Sequence, residues 1–167
     1  SSDDIFKLAI AFEYLHAATL FHDDVIDQAF TRRGLPSVYK AHGIEAAILA
    51  GDFLHARSME IIGTYGGTRC LKVFCRATST MVNGEFLQLR NTKNYSQSEE
   101  DYLQTIEGKT ALFISAATEI GALKGSAGDA QRNALAEYGR NLGYGFQIVD
   151  DLLDYQGNVD KTGKATG

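Results

Sequence analysis

From Asp3 to Phe30 the chain runs without a glycine or a proline, and Ile5, Leu8, Ala9 and Phe12 recur at three- and four-residue steps. That spacing marks one face of an α-helix. A helix of this length is held by burying its apolar face against other elements, so the stretch points the chain towards helix packing. Asp3 or Asp4 can cap its start, and the pattern runs past Asp27 towards Phe30. Gly34 and Pro36 then break it within RRGLPSVYKAHG, a linker. Helices are expected over 44–63, despite Gly51 in the interior, and over 68–89, followed by the polar loop NTKNYSQSEED. Ser98, with Asp101 three residues on, reads as a capping box opening a helix through Glu107. Another helix follows Lys109, and GSAGDAQ turns the chain into a last helix carrying QIVDDLLDY. Gly108, Gly121, Gly143 and Gly145 lower helix propensity where they stand, so close helix packing or close ligand approach is expected to compensate. No segment alternates as a strand does. The fold class is all-α.

A chain of 167 residues supplies one substantial core and is short for two, so the organisation read is a single all-helical domain over 1–167. Ser1 opens almost directly into helical periodicity, and Gly167 closes a glycine-rich tail without a final element. That reads as the central portion of a larger fold, truncated at both ends.

Composition narrows the partners. With 44% hydrophobic and 22% charged residues the chain is ordinarily globular, far from the disordered class. The net charge is -5, with no basic run, which argues against nucleic acid. Cys70 and Cys75 are too few and too close for a disulfide scaffold or a metal cluster, and read as buried thiols in a reducing compartment. No signal peptide and no apolar run of about 20 residues is found, so the reading is a soluble, cytoplasmic protein.

Inside this apolar text stand two copies of D-D-x-x-D: LFHDDVIDQAF around Asp23, Asp24 and Asp27, and FQIVDDLLDY around Asp150, Asp151 and Asp154. On a helix Asp23 and Asp27 share a face about 6 Å apart, with Asp24 about 100° round, and the second set repeats the arrangement. Like charges at this spacing destabilise a helix by roughly 0.2–0.5 kcal/mol, and by more when desolvated. A solvated acidic face would tolerate that, but the neighbours here are mainly apolar. Hard divalent cations explain the pair better: Mg²⁺ takes oxygen ligands, and typically binds one or two carboxylates together with substrate phosphates. A di-iron centre would want paired E-x-x-H, and only Glu13 with His16 supplies one; an EF-hand lacks its central glycine and its position-12 glutamate. Arg32, Arg33, Lys109 and Lys164 stand beside these motifs or near helix ends, as phosphate ligands would.

Taken in order, the motifs resemble the trans-isoprenyl diphosphate synthases, the polyprenyl synthetase family. The resemblance lies in His22-Asp23-Asp24-Val25-Ile26-Asp27 with Arg32-Arg33-Gly34, then Gly51-Asp52-Phe53-Leu54, Gly84-Glu85-Phe86-Leu87-Gln88 and Lys109-Thr110-Ala111. It continues through Phe146-Gln147-Ile148-Val149-Asp150-Asp151-Leu152-Leu153-Asp154 to Gly163-Lys164. It covers essentially the whole chain, and the wording is closest to synthases of long polyprenyl chains. The family's upstream glycine-lysine-arginine segment has no counterpart here, and its chain continues well beyond Gly167.

The resemblance implies an isoprenoid synthase-type helical bundle around a central cavity. It implies Mg²⁺-dependent head-to-tail condensation of isopentenyl diphosphate with an allylic diphosphate, using three ions with substrate bound. Asp23, Asp27 and Asp150 would hold metal, supported by Asp24, Asp151 and Asp154. Arg32, Lys109 and Lys164 would grip the allylic diphosphate; Arg33 and His16 would contact isopentenyl diphosphate. Thr110 and Gln147 would stabilise developing positive charge or steady the diphosphates. His22 would be a hydrogen-bonded neighbour of the metal ligands. A homodimer is implied as well. Product length would be set below Asp23: farnesyl-length enzymes place aromatic residues four and five positions before that aspartate, where this chain has Thr19 and Ala18. Phe12, about 16 Å below Asp23, is the next large side chain near that face. The product expected is therefore geranylgeranyl-length or longer. The alternatives are a terpene cyclase, which would carry an Asn/Ser/Glu metal motif in place of the second triplet, and a non-catalytic partner subunit, which would have eroded aspartates or basic residues.

Overall fold

The computed structural model describes residues 2–91 and 98–156. In chain order its elements are α1 (Ser2–Ile26), a hairpin of β1 (Thr31–Arg32) and β2 (Leu35–Pro36), then α2 (Val38–His42) and α3 (Ile44–Ile61). A π-helical turn, Ile62–Gly66, leads into α4 (Gly67–Asn91) and α5 (Glu99–Ile106). A second π-helical turn, Glu107–Ala111, leads into α6 (Leu112–Lys124), and α7 (Asp129–Gln156) follows. These gather into two compact units, Ser1–Tyr65 with Asp150–Gly167, and Gly66–Val149. The architecture is helical, as expected.

In the first unit α1 and α3 run antiparallel: His22, near the end of α1, meets Ile48 near the start of α3, and Lys7 lies over the ring of Tyr65, past the end of α3. The buried row of α1 is Leu8, Ala11, Leu15 and Ala18. On α3 it is Ala47, Gly51 and Ser58, continued by Ile62. Small residues on both sides let the two backbones approach closely. This row shares only Leu8 with the expected face, since Ile5 and Ala9 are exposed and Phe12 is half-buried. Apolar residues surround α1 on every side, so its sequence period could not say which side packs.

Helix α1 also stops earlier than expected, at Ile26. Asp27 still donates its N–H to the Asp23 carbonyl, after which Gln28 donates to Val25 and Ala29 to Asp24. With Gln28 left-handed at φ +53°, this is a Schellman turn. The linker then folds into a small antiparallel hairpin pairing Thr31 with Pro36 and Arg32 with Leu35. Its two-residue loop, Arg33-Gly34, has φ of +53° and +77°, matching a type I′ turn. The sequence reading held no strand; two residues per strand are too few to show alternation.

In the second unit α4 and α6 run antiparallel, linked by Arg76–Glu119 at 3.0 Å, with Phe74 and Ile120 in the core. Backbones meet where Gly84 crosses the second π-turn: a Cβ on Gly84 would lie 2.8 Å from the Lys109 nitrogen. Ser115 donates to the Ala136 carbonyl, tying α6 to α7. The expected glycine packing is thus present at Gly108 and Gly143, whereas Gly121 and Gly145 face open space. The capping box at Ser98 and Asp101 forms as read. Lys109 lies within a π-turn, the Leu112 N–H reaching back to the Glu107 carbonyl.

Candidate active site

The first aspartate triplet sits where α1 ends, and the hairpin returns to it. Asp24 is 1% exposed, and its Oδ1 accepts from Arg32 Nε at 2.9 Å and Nη2 at 2.8 Å. A buried carboxylate without such a partner would be strongly disfavoured, so the pair explains how an acid can stand on this face. It also places the Arg32 guanidinium, 30% exposed, at the end of α1. Ser37 fixes the hairpin from the other side, donating from its hydroxyl to the Ala29 carbonyl and accepting from the Lys40 N–H. Asp23 is half-buried and Asp27 exposed. Arg33, expected to contact substrate, is exposed at the hairpin tip.

His22 lies against α3. Its Nε2 donates to the Ile48 carbonyl at 3.2 Å and is 3.4 Å from the Asp52 carboxylate. Gly51 makes this possible, because a Cβ there would overlap the imidazole ring. The Gly51-Asp52 pair singled out in the sequence thus braces the residue that precedes Asp23. His16, Thr19 and Asp23 follow Phe12 at helical steps on another side of α1: His16 is exposed, Phe12 and Thr19 half-buried. Ala18, also named as pocket-forming, is 1% exposed in the row one turn before His22, the row facing α3. Thr19 donates its hydroxyl to the His16 carbonyl.

In the second unit the π-turn presents Lys109 and Thr110. Lys109 Nζ lies 3.0 Å from Glu85 Oε2 and 3.2 Å from Gln88 Oε1, so the GEFLQ segment of α4 cradles the ammonium. Gly84 brings α4 close enough for this. Thr110 donates its hydroxyl to Gln147 Oε1 at 2.6 Å, joining two residues singled out far apart in the sequence. Glu85 and Gln88 were quoted there without a role; their i,i+3 spacing after a close-contact glycine was the signal available. Of the two cysteines read as buried thiols, both are free; Cys70 is buried, and burial pushes its pKa up, whereas Cys75 is only half-buried.

Asp150, Asp151 and Asp154 stand on α7, which continues to Gln156, and all are half-buried. Lys164 lies outside the described residues. Among the described residues no group of three or more His, Cys, Asp or Glu side chains comes together as a metal site. The donor set nevertheless suits Mg²⁺, since carboxylate oxygens from one or two residues are its usual share when phosphates complete the shell. Asp23, Asp27 and Asp150 fit that role. Asp24 differs, one of its oxygens being taken by Arg32.

One unit braces Asp24 and Arg32 at a helix end, and the other holds Lys109 and a Thr–Gln contact at a π-turn. The polyprenyl synthetase profile matches residues 1–167, and the chain belongs to that family. It is 36% identical over 160 residues to the octaprenyl diphosphate synthase of Escherichia coli (strain K12), covering 96% of this chain and 50% of that one. It is 39% identical over 166 residues to the geranylgeranyl diphosphate synthase of Saccharolobus solfataricus, covering 95% and 50%. Its fold is similar to that of a polyprenyl synthase from Caulobacter crescentus CB15 solved with calcium and isoprenyl diphosphate: TM-score 0.92, 40% identity, 96% of this chain and 49% of that one. The chain spans about half the length of the curated relatives it matches.

Proposed function

We propose that the protein carrying this sequence joins isopentenyl diphosphate head to tail with an allylic diphosphate, releasing diphosphate and a trans-polyprenyl diphosphate of geranylgeranyl length or longer. The observation that carries this is the meeting of Lys109, Thr110 and Gln147 around one π-turn, in a chain whose whole length matches the family. Asp23, Asp27 and Asp150 would hold Mg²⁺, which when bound would supply charge neutralisation for the departing diphosphate.

The chain's own residues do the rest. Glu85 and Gln88 fix the Lys109 ammonium, so its charge is already oriented when a phosphate oxygen arrives. Thr110 directs its hydroxyl hydrogen bond to Gln147 Oε1, leaving its oxygen lone pairs available to the positive charge that develops when the allylic C–O bond breaks. Asp24 holds Arg32 for a diphosphate, and Arg33 and His16, both exposed, meet the isopentenyl diphosphate in this reading. The double bond of that substrate attacks the allylic carbon, a C–C bond forms, and the proton lost passes to the departing diphosphate. No enzymic nucleophile enters.

The growing tail runs along the Phe12–Thr19 side of α1 rather than past Ala18, whose side is filled by α3. We place the reaction in a single synthase domain acting as a homodimer; α3 leaves Leu49 and Phe53 exposed, which supports a partner surface. Among the described residues no helix is long and apolar enough to cross a membrane; the setting proposed is the cytoplasm. Radiolabelled isopentenyl diphosphate and a set of allylic primers, given to the full-length protein, should yield long-chain products with Mg²⁺ and none in EDTA. Undiminished synthesis in EDTA sinks the mechanism. A monomer mass by light scattering at micromolar concentration, with activity retained, sinks the dimer.

A further inference from the structure

Two side-chain rungs join α7 to the second π-turn, and the proposed function uses one. The inner rung is Thr110 to Gln147. In the outer rung Arg140 Nη2 meets Glu107 Oε1 at 2.6 Å, and the guanidinium lies 5.6 Å from the centroid of the Tyr144 ring. Tyr144 is hydrogen-bonded with the same two residues, and burial together with the Glu107 bond pushes its pKa up, so it stays a phenol at neutral pH. Arg140, Tyr144 and Gln147 fall at i, i+4 and i+7 on one face of α7; Glu107 and Thr110 are three apart in the turn.

Between the rungs the backbones touch. A Cβ on Gly143 would come within 2.5 Å of the Ala111 Cα. Close contact through a glycine brings α7 in but offers no side-chain knob to fix its rotation or register. A single neutral hydrogen bond, worth about 1 kcal/mol net, sets these weakly. The outer rung adds a charge-assisted bond from Arg140, two turns back along α7 from Gln147, and a ring contact at Tyr144, one turn back.

We propose that Glu107, Arg140 and Tyr144 are positioning residues that hold α7 in the register at which Gln147 Oε1 receives the Thr110 hydroxyl. With the clamp in place the Gln147 carbonyl faces Thr110 and its NH₂ faces away. Without it the amide turns, and the Thr110 hydroxyl loses its acceptor. The clamp touches no substrate and acts only through Gln147. Its catalytic consequence rests on the function proposed above; its structural part does not.

The test uses the full-length protein with Arg140→Ala, Gln147→Ala and the double variant. Arg140→Ala should lower kcat about tenfold, with KM for both diphosphates little changed. In the Gln147→Ala background the same change should have almost no further effect, because the residue it positions is gone. The swapped pair Glu107→Arg with Arg140→Glu should recover most of the loss. Independently of turnover, the Gln147 side-chain NH₂ resonances, assigned by their loss in Gln147→Ala, should shift on Arg140→Ala. Additive effects of the two substitutions, or unmoved NH₂ resonances, overturn the clamp. The shift on Arg140→Ala, found where the wild-type protein makes no product, upholds the clamp and overturns the proposed reaction instead.

Discussion

At the first aspartate triplet the helix ends: α1 stops at Ile26, a Schellman turn follows, and the hairpin brings Arg32 back onto Asp24. At the second triplet the helix continues: α7 carries Asp150, Asp151 and Asp154 onward to Gln156, with Leu152, Leu153 and Val149 exposed beside them. The spacing is the same, but the surroundings assign different work. In the first, one carboxylate is buried against an arginine, with Asp23 half-buried and Asp27 exposed beside it. In the second, all three stay half-buried on a helix. A motif specifies where carboxylates stand along a helix; what each does depends on how the chain leaves that helix.

The largest effect should come where the two triplets are alike. Asp23→Ala and Asp150→Ala each remove a proposed metal ligand, and each should lower kcat by about 10²–10³-fold while the far-ultraviolet circular dichroism is retained. If either variant turns over at the wild-type rate, the two triplets do not share a catalytic role.

The next separates them. Asp24→Asn leaves Arg32 facing a neutral group in a buried place, and should destabilise by about 2–3 kcal/mol, less than a fully buried pair because Arg32 is partly exposed. Asp150→Asn, on a half-buried helix face, should stay within about 1 kcal/mol. Urea denaturation of both variants compares them directly. Equal losses would mean that the Asp24–Arg32 pair does not carry the stability of this helix end.

Neighbouring positions on α1 sharpen the contrast within the first unit. Ala18→Phe would force a ring between α1 and α3, destabilising by about 1–3 kcal/mol. Thr19→Phe points along the Phe12–Asp23 side and should be milder for stability yet shorten the product, which chromatography of the prenyl chains will show. Shortening by Ala18→Phe alone, with Thr19→Phe silent, would put the tail on the α3 side.

Much of this was legible in the sequence, and the misses have causes. Long glycine-free stretches specified helices, and Ser98 with Asp101 specified a cap, because those signals are local. The side of α1 that packs was not legible, since Ile5, Phe6, Tyr14 and Leu15 lie all around it. Gly34 announced a turn, but Arg33 in a left-handed conformation carries no sequence mark, so the hairpin was missed. The π-turn at Lys109 was hidden for a similar reason: one shifted backbone bond leaves no composition behind. Among site residues, Thr110 and Gln147 were found through the family resemblance, and their contact only through the fold. The partners of Lys109 and of Asp24 were absent from the reading because pairing is a tertiary fact.

The smallest effect concerns an acid held by a helix cap, the counterpart to Asp24. Asp101 is half-buried at the start of α5, where it accepts from the Ser98 hydroxyl at 2.7 Å and the Ser98 N–H at 3.2 Å, while its own N–H donates to Ser98 Oγ at 3.1 Å. The bond from the Ser98 side chain, then that from its backbone, hold the Asp101 pKa below its ordinary value. A depressed folded-state pKa means that the charged form favours the folded helix. The stabilisation is therefore complete above the unfolded carboxylate range, about pH 4, and fades as pH falls further through the folded value. Amide exchange in α5 should be protected to a constant degree from neutral pH down to about pH 4–5, after correction for the intrinsic rate, and lose protection only below that. Ser98→Ala should loosen α5 at neutral pH and flatten the acid dependence, leaving product synthesis unchanged. Loss of α5 protection beginning above pH 5, or an acid dependence that survives Ser98→Ala, would show that some other group governs this helix start.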